Sequence, residues 1–172
     1  MANNINMKQA LCYIAGLGLI LGLIVHVVSL FDIYIGDKLP YIWIFHAGIF
    51  IVWIPVIFEF KKNSNFRTRM KPSEFFRSIF KDTPKPVMVI SIVFFLYAII
   101  NFILSLQVSG GGIPDLMDGK YVIHNHGSVI KELTETEYLK MKANEIRSFS
   151  GLWMAFYGLA MGIFWHKGTK EK

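Results

Sequence analysis

The chain has little of what chemistry on a soluble scaffold requires. A single cysteine, Cys12, rules out a disulfide framework, and inside an apolar run a thiol is normally inert. No phosphate-cradling loop, nucleophile elbow, paired-histidine zinc helix or dinucleotide fingerprint occurs. The triple glycine at 110–112 precedes no helix that would hold a phosphate, so it reads as a hinge. Carboxylates are missing from the interior of the apolar runs, with Glu59 only at the end of one. That weakens a small-transporter reading, and no matching helix breaks point to an inverted repeat.

Apolar residues are what the chain has in excess. At 53% hydrophobic and 15% aromatic over 172 residues, it carries more than one soluble core needs. Crossing a hydrocarbon core of roughly 30 Å takes about 20 helical residues. The runs 9–31, 41–60, 87–107 and 148–165 meet that length or come close. The expected fold is therefore an all-α integral membrane protein, a four-transmembrane-helix antiparallel bundle. The first run is longer than a signal peptide's apolar core and no cleavage site follows it, so it is expected to stay as a helix.

Orientation follows from the basic residues. Segment 61–86 carries Lys61, Lys62, Arg67, Arg69, Lys71, Arg77, Lys81 and Lys85 against Glu74 and Asp82, which predicts a cytoplasmic loop and cytoplasmic termini. Within it, Phe75, Phe76, Ile79 and Phe80 share one helical face while Arg77 and Lys81 lie off it, the pattern of an interfacial helix on anionic headgroups. Pro72 suits its first turn, and Thr83, Pro84 and Pro86 are expected to break the chain before the third span. The net charge of +6 is concentrated here without a base-reading motif, so nucleic acid is not the expected partner. The lipid bilayer is.

Apolar helices in lipid associate through close backbone approach. Gly18 and Gly22 in the first span, and Gly151, Ala155, Gly158 and Gly162 in the last, are the expected packing faces, within one chain or in a homodimer. Pro55 is expected to free the carbonyl of Ile51 and kink the second span.

Segment 108–147, nearly charge-balanced, is then extracytoplasmic. Residues 121–124 and 128–133 flank Asn125-His126-Gly127 as a β-hairpin with a three-residue turn. Thr134 to Glu137 has capping-box spacing and predicts one uninterrupted helix from about Thr136 into the last span, its first turns forming a stalk. His124 and His126 sit two apart, but a closed metal site needs three or four ligands, so they read as turn residues.

Polar groups inside hydrocarbon are the remaining hint of function. Counting 1.5 Å per residue from the span ends puts His26, His46 and Asn101 in one layer, roughly 7–10 Å deep, with Ser150 or Tyr157 able to approach from the fourth span. The expected role is a neutral hydrogen-bonded cluster that fixes helix register. Bis-histidine ligation of haem b, or a quinone, lipid or ion site, is the alternative. In type and size the chain resembles the small four-span proteins of bacterial inner membranes, and no functional residue is carried over from them. The expected function is a non-catalytic accessory subunit that presents the 108–147 insertion to another membrane protein. A haem- or quinone-binding electron carrier is the second reading.

Overall fold

The computed structural model of the chain describes residues 6–62, 71, 74, 77, 80 and 83–165. Among these are four long helices and one sheet, in the order α1 (Met7–Ser29), α2 (Ile44–Lys62), α3 (Lys85–Ser109), β1 (Ile113–Met117), β2 (Lys120–Asn125), β3 (Ser128–Glu132) and α4 (Glu135–Phe164). By length and composition, α1 and α3 are apolar enough to cross a membrane, and α2 contributes a shorter apolar stretch, Ile44–Phe58.

The helix ends follow local chemistry. Asn6 caps α1, its side chain accepting from the Lys8 N–H while Gln9 reaches back to the Asn6 N–H. Pro86 lies within the first turn of α3, where an N–H has no partner to lose, so only Pro84 stays outside the helix as its cap. The expected break at both prolines is thus a break at one. Gly110 is no hinge: it ends α3 in the left-handed conformation (φ 60°), and the Gly110 and Gly111 N–H groups close back onto Gln107 and Leu106 carbonyls.

The insertion holds a three-stranded antiparallel sheet, ordered β1-β2-β3, rather than a hairpin alone. β1 carries Pro114, which an edge strand tolerates. Both turns have two residues. Asp118-Gly119 and His126-Gly127 all take positive φ, as a type I′ turn requires, so the expected three-residue turn is one residue shorter. Val122 and Ile123 are buried, and the Tyr121 ring stacks on Tyr138 of α4 at 4.7 Å.

Residues 135–164 form a single helix, roughly 45 Å long at 1.5 Å per residue. Thr134 and Glu137 make the expected capping box, the Thr134 N–H donating to Glu137 at 2.8 Å. The Lys131 ammonium, 2.8 Å from Glu137, and then the Thr134 N–H pull its carboxyl from 4.5 to about 2. A carboxylate with a lowered folded pKa stabilises above its unfolded pKa and loses that contribution as pH falls through the folded one. Because Glu137 is exposed, the effect is local and small. Amide protection in the first turn of α4 is expected to fall between pH 4.5 and 2, and Glu137→Gln to abolish that pH dependence.

The polar first half of α4 carries the sheet, and its second half is the spine of the bundle, with Trp153, Met154, Tyr157, Ala160 and Phe164 buried. α1 and α3 pack along it, and α2 more sparsely. The two glycine-bearing faces do not meet each other. Gly18 of α1 receives the Tyr157 ring and Gly22 lies against Met154 and Trp153, whereas Gly151 faces Asn101 of α3, Gly158 lies between Leu19 of α1 and Phe94 and Ser91 of α3, and Gly162 meets Phe80 and Ser91. Ala155, on the same helix, is buried. Small residues of one helix thus accept large ones of another, an alternative to close small-on-small contact.

Along the α3–α4 seam, side chains donate to backbone carbonyls: Thr83 to Gly162 (2.8 Å), Ser91 to Gly158 (2.8 Å), Asn101 to Arg147 (3.0 Å) and Ser105 to Asn144 (3.3 Å), with Asn144 answering onto Ser105. The buried residues of α3 are Ser91, Ala98, Asn101 and Ser105, while Val93, Leu96, Ile100 and Ile103 are exposed. Its polarity is inside out relative to a helix on a water-soluble core.

Of the expected interfacial helix, Phe75, Phe76, Ile79 and Lys81 lie outside the described residues. Arg77 is exposed. Phe80 is buried at 6% exposure with its ring over Gly162, not on an outer face, because the absent side chain of Gly162 leaves a seat for it.

Candidate functional site

His26 of α1 is 2% exposed and joins three helices. Its Nδ1 lies 2.9 Å from Ser150 Oγ on α4 and its Nε2 lies 2.6 Å from the Tyr97 hydroxyl on α3. The Ser150 hydroxyl has one proton and donates it to the Arg147 carbonyl at 3.1 Å. Ser150 therefore accepts from His26 Nδ1–H, and the Nε2 lone pair accepts from Tyr97 O–H. The hydrogen bonds run in one direction, from Tyr97 through His26 and Ser150 to the Arg147 carbonyl. Asn101 donates to that same carbonyl from α3. The Tyr97 ring also meets the imidazole edge-on at 5.3 Å.

The structure thus brings together His26, Asn101 and Ser150, as depth counting expects, and leaves out His46 and Tyr157. His46 is exposed on α2, its Nδ1 3.4 Å from the Trp153 indole N–H and its ring edge-on to Phe149. Tyr157 points away from Asn101 and donates to the Phe45 carbonyl at 2.8 Å. Bis-histidine ligation needs a free nitrogen on each of two facing imidazoles. His26 uses both of its nitrogens on Ser150 and Tyr97, and so ties α1 to α3 and α4.

Tyr97 and Arg147 belong to the site without having been singled out in the sequence. Tyr97 precedes Asn101 by four residues and so shares its face, a spacing that marks a polar seam. Arg147 is the last basic residue before the apolar half of α4. Its guanidinium donates to Asn144 Oδ1, and among the described residues no carboxylate lies within ion-pair distance of it.

Beside the cluster an open groove of 550 Å³ is lined by Leu30, Tyr97, Ile100, Asn101, Leu104, Ser105, Gln107, Val108 and Arg147. In the sheet, His124 Nε2 stands 3.5 Å from Asp115, and its buried Nδ1 has no hydrogen-bond partner among the described residues. His126 occupies the turn. Among the described residues no three His, Cys, Asp or Glu side chains form a metal-ligand set.

The cluster predicts a specific energetic pattern. Interhelical hydrogen bonds in membranes average about 0.6 kcal/mol and reach about 1.7. Tyr97→Phe and Ser150→Ala are each expected to destabilise by about 1 kcal/mol, and far less when His26→Ala is already present. A double-mutant cycle of unfolding in mixed detergent micelles reads the coupling.

Comparison with protein-family models, with curated proteins and with solved structures gives no match.

Proposed function

We propose that the chain is a four-span membrane protein of the cell inner membrane, with cytoplasmic termini, whose role is non-catalytic: it presents the sheet, on the stalk of α4, to a partner protein at the outer surface. The observation that carries the membrane part is the inverted polarity of α3, which buries Ser91, Asn101 and Ser105 and exposes Val93, Leu96, Ile100 and Ile103. In water this arrangement would lose its apolar burial. In lipid it turns the Ser91 and Ser105 hydroxyls and the Asn101 amide N–H onto carbonyls of α4 and leaves hydrocarbon outside.

The presenting part is supported by β3, all five of whose residues are exposed, including Val129 and Ile130 at 52% and 54%. Among the described residues β3 pairs only with β2, so its other edge offers unpaired backbone groups for strand addition. The edge is held in place because the helix that carries it continues without a break into the bundle.

The test is a photo-cross-linking residue at Ile130 in intact cells, with one at Leu17 of α1 as the control. The reading expects a discrete adduct of one mass from Ile130 and only diffuse lipid adducts from Leu17. A monomer without an adduct from any β3 position contradicts it.

A further inference from the structure

The groove beside the His26 cluster has a graded polarity. Along α3 it runs from Tyr97 to Val108, roughly 16 Å at 1.5 Å per residue, which is about half of a ~30 Å hydrocarbon core. Leu30, Ile100 and Leu104 form its apolar walls, while Arg147 and Gln107 stand toward the sheet end. Its 550 Å³ falls in the range of roughly 300–1,000 Å³ typical of ligand sites. Two polar groups here keep bonding capacity that the protein leaves over. Arg147 has no carboxylate partner among the described residues. Asn101 is 6% exposed and engages the Arg147 carbonyl through its N–H, and among the described residues its amide oxygen has no partner.

We propose that this groove binds one phospholipid, its phosphate paired with Arg147 and one acyl chain lying between α1 and α3 along Leu104, Ile100 and Leu30. A cation at the rim with hydrocarbon below it matches the orientation of a lipid in the outer leaflet. A soluble anion would gain nothing from the apolar wall. The guanidinium donates to phosphate in a planar fork and is the less strongly hydrated of the two cationic side chains, so it suits an interfacial site. The Asn101 oxygen accepts from a hydroxyl of the headgroup or glycerol backbone. The proposal rests on the membrane-embedded reading above.

The experiment is native mass spectrometry of the full chain in non-ionic detergent, titrated with phosphatidylglycerol. One lipid is expected to bind per chain. Arg147→Gln should weaken it about tenfold, the worth of one charge-assisted hydrogen bond. Leu104→Trp, on an exposed groove wall where refolding is not at stake, should block it while the parent's thermal transition is kept. Excess inorganic phosphate should leave the bound lipid in place. Unchanged lipid binding in both variants overturns the proposal, and so does displacement by inorganic phosphate, which marks a soluble-anion site. Alkaline extraction of cell membranes separates the two readings. A chain that is washed off refutes the membrane placement, whereas a chain that stays but binds phosphatidylglycerol indifferently refutes only the lipid site.

Discussion

Trp153→Ala is expected to destabilise the folded bundle by about 3 kcal/mol in mixed-micelle unfolding. The indole is 0% exposed, packs near Trp43 and Phe45, lies beside Gly22 of α1, and donates toward His46 of α2. Truncating a buried Trp or Phe in a water-soluble core costs about 3–5 kcal/mol, the sum of a transfer term and a cavity term. On the proposed membrane placement, the separated helices keep their side chains in lipid, so the transfer term is small and the loss comes from vacated contacts. The lower end of the range follows. A loss near 5 kcal/mol would instead indicate a reference state in which Trp153 meets water.

Gly18→Leu is expected to be about as damaging, for the opposite reason. A Cβ at Gly18 would lie 2.7 Å from two ring carbons of Tyr157. That ring has no way to step aside: its hydroxyl is tied to the Phe45 carbonyl, and Gly48 of α2 faces it from the other side. α1 must then move off α4, carrying His26, eight residues on along the same face, away from Ser150. Overpacking costs about 1–3 kcal/mol, and the disrupted cluster brings the total to roughly 3. Gly16→Leu is the control, since a Cβ there would meet only the flexible Met161 thioether at 3.5 Å. A thermal transition that falls for Gly18→Leu and barely moves for Gly16→Leu is the expected pair of results.

The sequence showed these elements unequally, for physical reasons. The extents of α1 and α3 were legible because an unbroken apolar run of that length forms one helix wherever it is buried, and α4 because Thr134 and Glu137 signal a start with nothing to stop the helix. β1 was not legible: the glycines before it read as a hinge, although Asp118-Gly119 is a hairpin turn signal. The His26 cluster was partly legible, since depth counting gives the layer of a residue but not its direction around the helix. His26 could be oriented by Gly18, Gly22 and Ser29 on its own face. His46 could not, because the rotation of α2 is set by Tyr157 and Trp153 reaching in from α4. Arg147 looked like one more charge on a solvated collar, and only the fold shows that it borders an apolar groove.

The central claim, a membrane-spanning bundle with its sheet outside and its basic loop inside, is tested most directly by single-cysteine labelling in a Cys12→Ala background. Intact cells are treated with a membrane-impermeant maleimide, with Ser128→Cys on β3 and Arg77→Cys in the basic loop as reporters. The prediction is that Ser128→Cys is labelled in intact cells and Arg77→Cys only after permeabilisation. Labelling of both from the same side, or of Ser128→Cys only after permeabilisation, would contradict the account.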